Sequence, residues 1–472
     1  MKPYTNKILL FIKTIFLRFS LGIALMISLL SISCEDFVEI ELPNSQITGE
    51  KVFEDVNTAE AALADVYTQL RDNSIFSGNI TGVSVLLGNA ADELQNFNPG
   101  RTDVEGFYNN TILPSDNIIS TFWNSSYNLI FACNAIIEGI SENDSISSED
   151  QDWLIGQALF LRGFIHFHLL NLFGDIPYIE STDYRINQNV QRVETNMVYA
   201  KIITDVKTAI ELLPEEYSTT LRIIPNKFVG KAFLSRVALY NQQWELAFEN
   251  SSAVIEQVQL YQLSEDVNTV FLRDSPSTIW QLDVGTPGAN TLEGQTFIFN
   301  SGPPPSVALT NTLIESFSED DLRLENWVRQ VGDSISFWYH PNKYKLNSNT
   351  VSSEEFSIMI RLAEMHLIRA EANLRVGNID QALEDLNIIR KRAGLSEIES
   401  ENPTEISQAI ITERRHEFFT ELGHRWFDLK RVELADETLN YKPGWDDTDV
   451  LLPIPESELV VNPNLLPQNP GY

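Results

Sequence analysis

The sequence predicts a mainly α-helical protein, and three observations support this prediction. Apolar residues recur at helical spacing in nine segments, whereas only short runs alternate as strands do. Four of these segments form two pairs of neighbours. Ser235 precedes Ala247 by 12 positions in one pair, and Ala370 precedes Ala382 by the same 12 positions in the other. The chain has 472 residues, of which 43% are hydrophobic. It can therefore bury a large core.

The predicted helices are Ala59–Arg71, Ile118–Ile140, Trp153–Phe173, Met197–Leu213, Phe228–Tyr240, Trp244–Val258, Ile358–Val376, Ile379–Ala393 and Ile406–Arg431. Asn57 or Thr58 is a suitable N-cap for the first, and Pro214 stops the fourth. Small residues at matched positions let two antiparallel helices approach closely. The two pairs therefore indicate units of the tetratricopeptide type, which need neighbouring units for stability.

Two long regions interrupt this pattern. Residues 72–117 and 260–350 are rich in Gly, Pro and Asn, and the second contains short alternating runs such as Thr278–Leu282 and Ser334–Tyr339. The tail from Tyr441 holds six prolines and cannot be helical throughout. Irregular stretches of this length in a compact domain are usually functional.

The N-terminus has the pattern of a lipoprotein signal. Four basic residues and no acidic ones precede Cys34, and the apolar run Phe19–Ile32 is too short to span a bilayer. Ser33-Cys34 resembles a lipobox, although Ser31 stands where Leu is commonest. We expect a signal peptide at 1–33, a lipidated Cys34, a membrane tether at 34–50 and one domain at 51–472. A plain secretory signal and a retained helical anchor remain as alternatives.

The charge excludes two classes of partner. The formal net charge is −33, and loss of the four basic signal residues leaves 29 basic and 66 acidic residues, or −37. Such a chain lacks the basic surface that nucleic acid or anionic lipid requires. Two cysteines cannot build a disulfide framework, and Cys133 lies in an apolar stretch that indicates a buried, inert thiol.

The sequence shows no motif that requires an enzyme, a metal or a cofactor. His166 and His168 are two apart in a helix, so they point to different faces and indicate core histidines. Asp446, Asp447 and Asp449 lack the glycine of a calcium loop and indicate a surface turn. The charged segment Glu413–Arg431 indicates a structural helix, in which Glu421 and Arg425 are spaced to pair.

Aromatic residues of the two irregular regions are the best candidates for a binding site. Flat rings beside planar polar side chains suit sugars, whose C–H faces stack on rings while their hydroxyls need donors and acceptors. Ordinary loop packing is the alternative for each residue. The candidates for carbohydrate binding are Asn96, Phe97, Arg101, Tyr108, Trp327, Trp338 and Tyr339.

Several segments, taken together, resemble the SusD/RagB family of Bacteroidetes outer-membrane lipoproteins. They are Gln157–Phe164 with Leu172–Pro177, Arg361–Ala372, Ile388–Gly394, the ERR…GHRWFDLKR element of Glu413–Arg431, and the closing Leu452–Pro455 and Asn462–Tyr472. The Glu35-Asp36 pair after Cys34 also resembles the acidic export signal of such lipoproteins.

The resemblance implies a superhelix of four tetratricopeptide-like helix pairs that supports a loop-rich face. It also implies a non-catalytic, surface-exposed lipoprotein of the outer membrane. Such a protein acts as a lid over a SusC-like TonB-dependent transporter, binds oligosaccharides and closes over them for import. The family's sugar-contacting residues are not fixed in type, so none transfers by motif. Some members bind peptides or other nutrients, and a helical scaffold that binds only protein, or a glycosidase, are further alternatives.

Overall fold

The computed structural model describes residues 52–141 and 143–472. Residues Glu50–Tyr472 form one compact unit. The architecture is mainly α, as predicted, with short strands inserted between the helices. The predicted signal peptide, Cys34 and the tether to residue 50 lie outside the described residues, and they stay predictions.

The helices are described in chain order. They are α1 (Val56–Asp72), α2 (Val83–Ala90), α3 (Thr102–Asn109), α4 (Asn117–Ser141), α5 (Ser148–Phe173), α6 (Tyr184–Asn187), α7 (Thr195–Leu212), α8 (Lys227–Tyr240), α9 (Trp244–Ile255), α10 (Leu292–Phe297), α11 (Asn311–Ser316), α12 (Leu322–Trp327), α13 (Leu362–Arg375), α14 (Ile379–Arg392), α15 (Pro403–Phe418), α16 (His424–Arg431), α17 (Ala435–Leu439) and α18 (Glu456–Val461).

The long helices pack as a succession of neighbours. Contacts run from α4 to α5, α7, α8, α9, α13 and α14 in that order. The two predicted pairs are α8 with α9 and α13 with α14, and Ser235, Ala247, Ala370 and Ala382 are all fully buried. Each helix thus covers the apolar face of the next, as in helical-repeat proteins.

Helix α5 is the centre of this array. Among the described residues it alone is long and apolar enough to cross a membrane, but 89% of its apolar window is buried inside the protein. It is therefore a core helix. Gly163 lets α7 approach closely, because a Cβ at this position would stand 3.0 Å from the Val206 side chain.

Two small sheets lie outside the helical array. Their strands are β1 (Leu94–Asn96), β2 (Thr278–Leu282), β3 (Val307–Leu309), β4 (Val328–Gly332), β5 (Phe337–Pro341) and β6 (Ser357–Arg361). Antiparallel β1, β3, β5 and β4 form one sheet in that order, and β2 pairs with β6 in the other. The first sheet joins the two irregular regions, because β1 belongs to residues 72–117 and its other strands to residues 260–350.

Three element predictions were wrong in their bounds. Residues 357–361 form strand β6, so the helix predicted from Ile358 begins at Leu362. Residues 260–350, predicted as loops and short strands rather than helix, contain the short helices α10, α11 and α12, and the loop-rich residues 72–117 contain α2 and α3. The helix predicted over Ile406–Arg431 is broken into α15 and α16 by a turn in which Thr420, Leu422 and Gly423 have positive φ.

The turn between α15 and α16 also corrects the predicted pairing of Glu421 with Arg425. The Glu421 carboxylate accepts hydrogen bonds from Arg361 and Lys343, whereas Arg425 donates to Asp92. Helical spacing does not apply across the turn, so the two side chains are free to find separate partners. Both belong to buried ion pairs that attach this segment to other elements.

Candidate functional site

The outer face of the four-stranded sheet carries a small aromatic cluster of its own. Phe97 and Trp338 meet edge to face, with ring centroids 6.4 Å apart and an interplanar angle of 90°. They pack on the buried side chains of Phe299, Ala308 and Val331, separately from the main core. Phe97 and Trp338 are themselves only partly buried. Part of each ring is therefore accessible to a molecule outside the sheet.

Strand alternation decides which aromatic side chains reach this face. Successive residues of β5 point to opposite sides, so Trp338 lies outside, while its neighbour Tyr339 lies inside opposite Leu309 and packs against the main core. The backbone amide of Phe97 donates to the carbonyl of Ser306 at 2.7 Å and fixes Phe97 beside β3. Gly302 lies directly under the Trp338 ring, where a Cβ would collide with the indole.

A polar cleft of about 560 Å³ begins at the loop that follows Phe97. Its walls include Arg101, Asp103, Thr81, Ser115 and Thr121. The Arg101 guanidinium binds the Asp103 carboxylate with two hydrogen bonds of 2.5 and 2.9 Å. This pair raises the pKa of Arg101 and lowers that of Asp103. Both groups therefore stay charged near neutral pH and offer donors and acceptors to hydroxyl groups.

Asn96 holds the shape of the same loop. Its Oδ1 accepts from the Asn98 amide at 3.0 Å, and its Nδ2 donates to the Asn98 carbonyl and to the Glu105 carboxylate. Both polar atoms of the Asn96 side chain are thus engaged within the protein. Asn96 positions the loop between Phe97 and Arg101, and its direct contact with a sugar stays a prediction.

Trp327 is not available to a ligand in this structure. Its side chain is fully buried, and its indole nitrogen donates to the Val267 carbonyl at 2.8 Å. Phe271 packs edge-on at 5.3 Å, and the cations of Lys343 and Arg361 lie over the indole at 5.1 and 5.8 Å. Trp327 is therefore a residue of the main hydrophobic core and stabilises the fold.

Tyr108 lies on α3 and is not part of the aromatic cluster among the described residues. The Lys442 ammonium stands 5.4 Å from the Tyr108 ring centroid and donates to the carbonyls of Asn89, Ala90 and Ala91 at the end of α2. Burial lowers the pKa of Lys442 to about 7. The lysine caps α2 from its C-terminal end, where a helix favours a positive charge.

A buried ion network joins the sheet region to α15. The Glu417 carboxylate contacts the guanidinium groups of Arg323, Arg361 and Arg392, and all four side chains are at most 4% exposed. Burial alone would raise the pKa of Glu417, but the three guanidinium groups hold it well below its ordinary value. The charged segment is therefore structural, as the sequence predicts, although its partners lie on other elements.

The histidines, the cysteine and the acidic turn singled out by the sequence are structural as well. In residues 52–141 and 143–472, no cluster of His, Cys, Asp or Glu could hold a metal ion. His166 and His168 are buried, and burial lowers the pKa of each to about 3. Cys133 is buried, and burial raises the pKa of its thiol to about 12. Asp446 and Asp449 form a capping box on the short 3₁₀ turn that follows.

Sequence reasoning missed several residues around the candidate site. Phe299, Ala308 and Val331 form the base of the aromatic cluster, and Thr81 and Ser115 line the polar cleft. Phe299 comes shortly before the Gly302–Pro305 turn, which is visible in the sequence. The pairing of β3, β4 and β5 brings Ala308 and Val331 together, and no single segment contains that information.

These features define a class of protein: a helical-repeat framework that supports a loop-built aromatic face and a separate polar cleft. Residues 36–239 match a SusD-like family model described as "Starch-binding associating with outer membrane", and residues 326–472 match a model described as "SusD family". The chain belongs to the SusD/RagB family. By that description, members of the family associate with the outer membrane.

Individual relatives agree along nearly the whole chain. SusD-like protein P2 of Formosa agariphila is 28% identical over 93% of this chain and 97% of that protein. A SusD superfamily protein of Bacteroides vulgatus has a TM-score of 0.78 at 23% identity and covers 89% of this chain and 100% of its own. A structure described as "Laminarin binding SusD-like protein" has a TM-score of 0.73 at 22% identity and covers 88% and 99%.

Proposed function

We propose that the protein is a lipid-anchored, surface-exposed lipoprotein that binds oligosaccharide or polysaccharide and delivers it to a SusC-like TonB-dependent transporter. The observation that supports glycan binding best is the outer face of the sheet. There Phe97 and Trp338, from two distant irregular regions, lie together and partly exposed. The similarity to a laminarin-binding protein supports the same class of ligand.

The chemistry of the face suits a neutral sugar. The Trp338 and Phe97 rings stack on C–H faces, while the cleft beside Arg101 and Asp103 supplies donors and acceptors for hydroxyl groups. Binding of this kind needs no proton transfer or covalent step. The proposed role is therefore capture without catalysis, and the energy for import comes from the transporter partner.

Attachment to the membrane is assigned to Cys34. Residues 1–33 act as the signal peptide, and the acyl chains on Cys34 hold the protein at the outer membrane through the tether at 34–50. Two or three acyl chains anchor stably, whereas one does not. The Cys34→Ala variant is expected to appear in the soluble fraction after cell lysis, and retention in the membrane fraction would contradict this anchor.

A binding screen of the purified full chain tests the proposed ligand class. Affinity electrophoresis against a panel of polysaccharides, including laminarin and starch, is expected to show retardation in at least one gel. Trp338→Ala is expected to reduce the retardation strongly, and Phe248→Ala, at an exposed aromatic position on α9, is expected to preserve it. Normal migration in every gel would favour a scaffold that binds only protein.

Delivery to a transporter needs its own test. Affinity purification of the full chain from its native membrane, after mild detergent extraction, is expected to recover a TonB-dependent barrel in stoichiometric amount. Recovery of the lipoprotein alone would contradict the delivery step and leave glycan binding in place.

A further inference from the structure

A second cleft lies against the middle of α4 and shares no lining residue with the polar cleft beside Arg101. Its volume is about 340 Å³, at the small end of the range for ligand pockets. One wall is α4, the second is the segment around Pro177 and Gln188, and the third is α18 with Glu458. Three separate parts of the chain thus build this cleft.

The wall formed by α4 is a row of aromatic residues. Trp123, Tyr127 and Phe131 follow each other at intervals of four positions and therefore share one side of the helix. The Trp123 and Tyr127 ring centroids are 4.9 Å apart, and the Tyr127 hydroxyl donates to the Pro177 carbonyl at 2.8 Å. Phe131, at the end of the row, is 50% exposed. Two rings are fixed, and the third is free to stack on a ligand.

Polar groups without protein partners stand beside these rings. The Asn124 and Asn128 side chains are exposed and Glu458 is half-buried. Within the described part of the chain, the side-chain oxygens and nitrogens of these three residues make no hydrogen bond or ion pair to the protein. Glu458 is partly buried, and burial raises the pKa of its carboxyl group. A carboxylate that is partly shielded from water accepts well from hydroxyl groups. The two amides supply both donors and acceptors.

The aromatic rings, the two amides and the Glu458 carboxylate together indicate the class of ligand. A cation would use the carboxylate and the rings but not the amide donors, and an acyl chain would leave all the polar groups unsatisfied. An anionic sugar is disfavoured by Glu458 and by the net charge of −33. We propose that the cleft binds one sugar residue of a neutral glycan, with its ring on Phe131 and its hydroxyl groups donating to Glu458. The site shares only its ligand class with the proposed function.

The test separates this site from the sheet face by using Trp338→Ala as the background. Saturation-transfer NMR with laminaritriose, maltotriose, xylotriose and mannotriose on the full chain is expected to retain a signal in this variant. Adding Phe131→Leu or Glu458→Gln is expected to weaken that signal about fivefold. Phe131→Tyr, which keeps the ring, and the exposed control Phe248→Ala are expected to leave it unchanged.

The outcomes of this test are distinguishable. If Trp338→Ala alone removes all signal and Phe131→Leu changes nothing in the wild-type chain, the second site is overturned and the proposed function stands. If no trisaccharide binds the wild-type chain at millimolar concentration, the second site is also overturned, whereas the polysaccharide screen decides the proposed function separately. Loss of signal with Phe131→Tyr would show a structural effect and overturn the stacking role.

Discussion

Trp327 and Trp338 stand eleven positions apart in one irregular region, yet the structure gives them opposite environments. Trp327 is fully buried and hydrogen-bonded to Val267, and the cations of Lys343 and Arg361 lie over its ring. Trp338 is partly exposed and rests on Gly302 beside Phe97. The same residue type thus supports the fold in the main core and, in the proposed function, offers a binding surface on the outer face of the sheet.

The buried core around Trp327 depends on the ion network of Glu417, and Glu417→Ala is expected to destabilise the fold most. The change leaves Arg323, Arg361 and Arg392 buried without their shared carboxylate. We expect a loss of about 5 kcal/mol in the free energy of unfolding, measured by urea denaturation. Glu397→Gln, at an exposed glutamate, serves as the control and should change stability by less than about 0.5 kcal/mol. Equal effects of the two variants would contradict a structural network.

The two tryptophans give the sharpest test of the comparison. Trp327→Ala is expected to lower the free energy of unfolding by about 4 kcal/mol, because it opens a cavity in the core. Trp338→Ala is expected to cost about 1 kcal/mol in stability but at least about tenfold in glycan affinity. Urea denaturation and titration calorimetry measure the two quantities. Equal losses of stability in both variants would remove the distinction between the buried core around Trp327 and the outer face of the sheet.

The pH dependence of stability tests the protein interior separately from the proposed binding site. Burial lowers the pKa of His168 to about 3, so this imidazole stays neutral in the folded protein while the unfolded chain takes up a proton below about pH 6.5. Stability is therefore lost as the pH falls. Between pH 7 and 5 the loss from His168 is expected to be about 2 kcal/mol.

The His168→Gln variant checks this sign. Urea denaturation at pH 7 and pH 5 should show a smaller loss in the variant than in the wild-type chain, and an equal loss would contradict the assignment. Glycan affinity should stay constant over the same range, because the pKa of Arg101 is raised and that of Asp103 is lowered. Acid thus weakens the interior of the molecule and leaves the proposed site unchanged.

The smallest expected effect comes from Gly302→Ala. The added methyl group collides with the Trp338 indole, which is only partly buried and has room to move outwards. We expect glycan affinity to fall about threefold, with stability changed by less than about 1 kcal/mol. Gly377→Ala offers a contrast, since its Cβ meets no atom within 4 Å and only its positive φ is strained. Unchanged affinity in Gly302→Ala would contradict the position assigned to the indole.

The helical framework could be predicted from local sequence, and the binding face only in part. Ser235 with Ala247 and Ala370 with Ala382 indicate helix pairs, because helix packing depends on spacing within short segments. The aromatic face depends on which strand pairs with which, so Trp338 could be separated from Trp327 and Tyr339 only by the sheet register. The Glu421–Arg425 prediction failed for a related reason, since a turn with positive φ interrupts the helix that it assumed.

The pairing of Leu94 with Leu309 affects the order in which the protein folds. The strands β1 and β3 are separated by roughly 200 residues of chain, and contacts of such long range are slow to form during folding. The rings of Phe97 and Trp338 are therefore expected to meet only late in folding. Retention on a glycan column accordingly reports completed folding, and a chain truncated before β5 is expected to pass through unretained.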